Sequence, residues 1–189
     1  RLKEVIATLR GPHGCEWDKQ QTHESLRPFL IEEAYEVIDA IDRQDDDGIV
    51  EELGDVLLQV MLHSQIGEES GYFVIDDVIK GITEKMIRRH PHVFGDEQVH
   101  SVEDIHRNWE ALKQAEKGEE PISILDGIPK SLPALLKAYN IQKKAAKVGF
   151  DWDEVEDIWQ KLEEELQEVK DAVQQAERSE LEKEIGDSL

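Results

Sequence analysis

The chain has 189 residues, with 44 Asp and Glu against 22 Lys and Arg, so its formal charge is −22. Such an acidic surface repels DNA and RNA backbones and disfavours a polymeric nucleic-acid partner, while 6% aromatics, 12 Gly and 6 Pro argue against a turn-rich sandwich or barrel. The single cysteine, Cys15, excludes an intrachain disulfide and suits a reducing compartment. No apolar run approaches the roughly 20 residues of a membrane span, and no signal peptide opens the chain. The expectation is a soluble, cytoplasmic, all-α protein that does not engage a membrane.

Taken in chain order, helical periodicity dominates and no useful period-2 strand emerges. Leu2, Val5, Ile6 and Leu9 fall at i, i+3, i+4 and i+7, giving a short amphipathic helix that stops at Gly11-Pro12. A loop is expected up to Thr22. Leu26, Phe29, Leu30, Ala34, Val37, Ile38 and Ile41 mark a second helix, which starts near Pro28 or is kinked there. Asp45-Asp46-Asp47-Gly48 separates it from a third, supplies N-capping oxygens, and leads into Ile49, Leu53, Val56, Leu57, Val60, Met61 and Ile66. Further helices are expected over residues 74–89, stopped by Pro91, and over residues 102–117.

From residue 118 to 133 the chain turns Pro- and Gly-rich, with Pro121, Gly127, Pro129 and Pro133, and reads as a linker. Helices resume over residues 135–147 and 153–175, and a last one begins near Ser179. The domain reading is 1–117, a linker over 118–133, and 134–189. The chain begins with Arg and its second half stops early in a helix, which reads as a trimmed piece of a longer protein.

The most informative feature is an internal repeat. Shifted by 132 positions, residues 31–57 fall on 163–189 without a gap, and 10 of the 27 pairs are identical. Five of those are carboxylates of one pattern: Glu32/Glu164, Glu33/Glu165, Glu36/Glu168, Glu52/Glu184 and Asp55/Asp187. Gly54/Gly186 is matched as well, whereas Glu51 meets Lys183, which marks Glu51 as an ordinary surface acid.

The pattern is Glu-Glu-x-x-Glu, a spacer, then Glu-x-x-Asp. Residues three apart on a helix lie about one turn above each other, so Glu33 and Glu36 share a face, as do Glu52 and Asp55. If the two helices fold back on each other at residues 45–48, four carboxylates converge, and their repulsion calls for cations. Oxygen donors without His or Cys favour Mg²⁺, or Mn²⁺ as a substitute, over zinc. A single Glu-x-x-Glu is ordinarily a solvated helix face; two linked pairs repeated in register are not. Glu32 lies beside Glu33 and four residues before Glu36, as a ligand or a base.

The segment Gly14-Cys15-Glu16-Trp17-Asp18-Lys19-Gln20-Gln21-Thr22-His23-Glu24-Ser25-Leu26, with Glu32-Glu33-Ala34-Tyr35-Glu36 and Glu52-Leu53-Gly54-Asp55, resembles the MazG family of nucleoside triphosphate pyrophosphohydrolases. So do Arg88-Arg89-His90-Pro91-His92-Val93-Phe94 and Ile128-Pro129-Lys130-Ser131-Leu132-Pro133-Ala134-Leu135. One departure is Glu16, where members commonly carry Pro. The resemblance implies tandem all-α MazG domains, the second truncated here at its C-terminal end, in helical bundles completed by homodimerisation. It also implies Mg²⁺-dependent cleavage of nucleoside triphosphates to monophosphate and pyrophosphate, read here as serving nucleotide-pool house-cleaning or (p)ppGpp-linked control. The implied metal ligands are Glu33, Glu36, Glu52 and Asp55, with Glu165, Glu168, Glu184 and Asp187 in the second copy.

In that chemistry a carboxylate beside the ligands, Glu32 or Glu164, is the candidate to orient or deprotonate the attacking water. Basic residues are needed for the outer phosphates. Lys137, Lys143, Lys144 and Lys147 cluster upstream of the second repeat's acids, whereas the first has only Lys3, Arg10 and Lys19. Trp17 and Trp152 stack on a base, or else pack in the core or as a lid, while Trp109 and Trp159 sit at core-like helical positions. His90 and His92, with Arg88 and Arg89, contact phosphate or serve the end of their helix. The competing reading is a catalytically silent metal-binding or dimerisation module of a larger MazG protein. A di-metal redox bundle is disfavoured, since no His follows these acids at the usual spacing.

Overall fold

In the computed structural model, residues 1–116, 123–175 and 178–188 are described. Part of the expected linker, Pro121 included, lies outside them, as does Leu189. Among the described residues every regular element is a helix, as the periodicity predicts. The chain divides into two compact units, Arg1–Lys113 and Gln114–Leu189.

In the first unit, α1 (Leu2–Arg10) turns Ile6 inward, and this residue is almost fully buried. Two one-turn helices were not expected from periodicity. The first is α2 (Glu16–Gln20), inside the expected loop; Arg10 ties it down by donating to the carbonyls of Asp18 and Gln21. The second is α6 (Pro91–Phe94), which begins on proline, a residue suited to the first helical position because it has no N–H to leave unpaired. Single turns carry too few residues for a periodic signal. The long elements are α3 (Arg27–Asp42), with Pro28 in its first turn, α4 (Asp46–Glu69), α5 (Ile75–Arg89) and α7 (Val102–Ala115). Pro28 therefore starts a helix rather than kinking one.

The core of this unit gathers Ile6, Leu26, Met61, Leu62, Ile66 and Ile75, with Leu9, Phe29, Leu58 and Val60 packed against it. It surrounds the C-terminal half of α4. Arg10 locks α1 to the end of that helix: its guanidinium, 5% exposed, donates to both carboxylate oxygens of Glu69 at 2.8 to 3.2 Å. That pairing holds the Glu69 carboxyl below its ordinary range.

The opposite half of the α3–α4 pair is different. Leu30, Ile31, Tyr35, Ile38 and Ile41 on α3, and Val50, Leu53 and Leu57 on α4, stay exposed. Trp109, expected in the core, is half-buried against the edge of His90 and beneath the Arg89 guanidinium.

The second unit holds α8 (Ala134–Ala146), α9 (Val155–Gln175) and α10 (Arg178–Asp187). α9 and α10 pack together, and among the described residues α8 packs on neither. Trp159, expected in the core, is 59% exposed, because nothing described in its unit covers that face of α9.

Leu26 is fully buried at the centre of the first core. Leu26→Ala should cost about 2–5 kcal/mol in chemical denaturation; a loss below 1 kcal/mol would mean that the core is elsewhere.

Candidate functional site

The site begins with a three-residue turn. Gln44 adopts the left-handed conformation, with φ 55°. The Asp45 N–H reaches the Ala40 carbonyl and the Gln44 N–H reaches Ile41, which together close the end of α3 in a Schellman arrangement. The Asp45 carboxylate then accepts from the Gly48 N–H at 3.0 Å and caps α4. With so short a turn, α4 runs back along α3. Glu36 lies as far before the end of α3 as Glu52 lies beyond the start of α4, and Glu33 and Asp55 are matched in the same way one turn further out.

Glu33, Glu36 and Glu52 thus offer carboxylate oxygens that all lie within 4.8 Å of one another. Asp55 is not part of that group, yet its charge is felt by both Glu33 and Glu52. The Glu33 and Glu52 carboxyls are pushed up from their ordinary value. Desolvation is the main cause for each, followed by Asp55 acting on Glu33 and Glu36 acting on Glu52. Arg43 offsets the repulsion at Glu52 only in part. Gly54, between Glu52 and Asp55, has open space where a side chain would stand.

The second unit reproduces the cluster: oxygens of Glu165, Glu168 and Glu184 lie within the same 4.8 Å, and Asp187 again stands outside the group. Here, however, cations are already present. Lys161 Nζ lies 2.9 Å from Glu164 and 2.8 Å from Glu165. Lys183 Nζ lies 2.7 Å from Glu184, 3.6 Å from Glu180 and 3.9 Å from Asp187. Glu184 is accordingly held below its ordinary range, chiefly by Lys183, while Glu168 is still raised by desolvation and by Glu165 and Glu184. Through the 132-residue offset, Lys161 corresponds to Phe29 and Lys183 to Glu51, so the first cluster lacks both cations. Sequence comparison weighed Lys183 only as a mismatch and passed over Lys161, although its i, i+3 and i+4 spacing to Glu164 and Glu165 was the signal.

The remaining expected residues divide. Glu32 is exposed on α3 beside the first cluster, and Glu164 is engaged by Lys161. Trp17 packs edge-on against Phe29 at 5.7 Å, one turn from Glu33, and keeps half its surface exposed. Trp152 is also half-exposed. Lys143, Lys144 and Lys147 belong to α8 or its end, which packs on neither helix carrying the second cluster. Lys143 lies over the Tyr139 ring and Lys144 donates to the Asp126 carbonyl. In the first repeat Arg10 is committed to Glu69, Lys3 pairs with Glu68 at 3.1 Å, and Lys19 pairs with Glu16. His90 donates from its Nδ1–H to the Met86 carbonyl at 2.7 Å and packs on Trp109, which is a structural employment.

Two features escaped the sequence reading. Gln59 is 4% exposed on the α4 face that carries Glu52 and Asp55, and its amide supports the charged form of Glu33. Its polar side chain inside the run Val56-Leu57-Leu58-Gln59-Val60-Met61-Leu62 was the signal. His23 and His63 stack, with Nδ1 atoms 2.7 Å apart, beside Phe73; burial, then His23, pushes the His63 ring down.

The family model for the MazG nucleotide pyrophosphohydrolase domain matches residues 21–94. The "Nucleoside triphosphate pyrophosphohydrolase/pyrophosphatase MazG" of Thermotoga maritima is 52% identical over 188 residues, a match that covers 100% of this chain and 71% of that protein. The nucleoside triphosphate pyrophosphohydrolase of Escherichia coli K12 is 43% identical, over 100% of this chain and 73% of its own length. Bacillus subtilis YabN is 60% identical over 142 residues, 75% of this chain but only 29% of YabN. Among solved structures, a mazG-related protein from Thermotoga maritima aligns with a TM-score of 0.51 and 29% identity, over 60% of this chain and 97% of that one.

Because Glu52 has a raised pKa, the fold penalises its ionised form. That penalty is absent at low pH and grows as pH rises through the folded-state pKa. Glu52→Gln should therefore raise the thermal midpoint at pH 7 in EDTA, with the gain fading below about pH 4. A lowered midpoint at pH 7 would contradict repulsion within the cluster.

Proposed function

The chain belongs to the MazG family, and on that footing we propose that it hydrolyses nucleoside triphosphates to monophosphate and pyrophosphate, with Mg²⁺ held by its carboxylate clusters. The observation that carries this reading is the meeting of Glu33, Glu36 and Glu52 within 4.8 Å, with two of the three held partly protonation-prone by desolvation and mutual repulsion. An all-oxygen donor set of this kind fits a hard divalent cation, with Mn²⁺ as a substitute. Glu33, Glu36, Glu52 and Asp55 would hold it in the first unit, and Glu165, Glu168, Glu184 and Asp187 in the second. Bound there, the cation would supply charge neutralisation for the phosphates and a more acidic water.

In the reaction the oxygen of water bonds to the α-phosphorus, the bond from that phosphorus to the bridging oxygen breaks, and pyrophosphate leaves with the electron pair. Glu32, adjacent to the cluster but not part of it, is the group available to orient that water and take its proton. Glu164 is the counterpart, once Lys161 releases it. Trp17, with half its surface free and one turn from Glu33 through Phe29, offers a face for the base. Trp152 has the same role in the second repeat, and Lys143, Lys144 and Lys147 supply positive charge for the outer phosphates.

The exposed apolar residues of α3 and α4 support homodimerisation. Leu30, Ile31, Tyr35, Ile38, Leu53 and Leu57 are exposed apolar side chains on one helix hairpin, the kind of surface that marks a protein–protein contact. The open space at Gly54 lies within this region and lets a partner helix approach. The physiological setting we propose is cytoplasmic nucleotide-pool house-cleaning. For the second cluster, the contacts of Lys161 and Lys183 favour a further reading as a silent structural copy.

Incubation with nucleoside triphosphates and MgCl₂ should release monophosphate and pyrophosphate, with EDTA abolishing turnover; diphosphate plus phosphate would overturn the mechanism. The Glu36→Ala, Glu168→Ala double variant should lose more than the roughly 10–100-fold that a supporting residue costs. The single variants then apportion activity between the repeats. Unchanged turnover in the double variant would reject both clusters.

A further inference from the structure

Gln59 stands where the first core meets the first cluster. On α4 it lies one turn beyond Asp55, on the face shared with Glu52. The hairpin register sets it level with Phe29, so it follows the last acid and precedes the apolar packing of Met61, Leu62 and Ile66. It is 4% exposed, and its Oε1 has no hydrogen-bond partner among the described residues. An orphaned buried carbonyl is destabilising, and a Leu or Met of similar volume would avoid that penalty. The other end of the same amide supports the Glu33 carboxylate. A buried amide beside a cluster acid, with its carbonyl oxygen unsatisfied, is poorly explained as core filling.

We propose that Gln59 is a positioning residue of the first site: its amide nitrogen fixes Glu33, and its Oε1 receives a hydrogen bond from a water that becomes ordered when the carboxylates hold their cation. This rests on the reading of the cluster as a divalent-cation site. The penalty of the orphaned oxygen is then offset when the cation binds. Groups that orient ligands in this way are worth roughly 10–100-fold in metal affinity.

The test uses Mn²⁺ alone as the probe, followed by electron paramagnetic resonance, in a Glu168→Gln, Glu184→Gln background that silences the second cluster. Gln59→Leu and Gln59→Met should keep native helix content and a thermal midpoint in EDTA no lower than the background. Both should raise the Mn²⁺ dissociation constant about tenfold and change the spectrum of the bound ion. Unaltered affinity and spectrum would overturn the role of Gln59 while leaving the cation site intact. Loss of folding in both variants would make Gln59 a structural residue and also overturn it. If the background with Gln59 intact binds no Mn²⁺, the cation reading of the first cluster fails, and this inference with it.

Discussion

Carboxylates that face one another across a helix hairpin repel, and the rest of this structure has to hold them there. In the first unit the work falls to a turn of three residues. Gln44 takes the left-handed conformation, Asp45 caps the returning helix, and the register that follows sets Glu36 against Glu52 and Glu33 near Asp55. Close placement and partial desolvation together raise the pKa of Glu33 and Glu52. Such a site is under electrostatic stress that a bound cation would relieve.

The stability that tolerates this stress lies at the far end of α4. Ile6, Leu26, Met61, Leu62 and Ile66 are buried there, and the Arg10–Glu69 pair fastens α1 over them. The acidic end of the hairpin has little such cover among the described residues, and its apolar flank stays exposed. Stability and chemistry thus occupy opposite halves of one helix, with Gln59 at their boundary. The second unit relieves the same repulsion differently, through Lys161 and Lys183. Two copies of one carboxylate pattern therefore differ in the positive charge that stands beside them.

Much of this was legible in the residues. The period of the apolar positions marks most of the long helices to within one or two residues, although α4 already starts at Asp46, inside the turn expected over residues 45–48. The repeat singles out the acids that converge. What periodicity cannot register is a single turn, so α2 and α6 were read as loop. The burial of Trp159 failed for another reason: an apolar residue at a helical core position is buried only if something packs on that face, and periodicity is silent about what does. Spacing places Asp55 on the same face as Glu52, yet only the fold leaves its oxygens outside the inner group. Nearness in sequence does not say where the lysines of α8 stand, since among the described residues α8 packs on neither helix of the second cluster. Gln59 announces itself only once its burial is known.

The central claim is that Glu33, Glu36 and Glu52 are drawn together to hold a divalent cation. Anomalous scattering from crystals grown with Mn²⁺ at neutral pH tests it most directly. The account predicts a Mn²⁺ peak bounded by oxygens of these three residues. Crystals in which that position stays empty in saturating Mn²⁺, with the three carboxylates turned apart toward solvent, would contradict it.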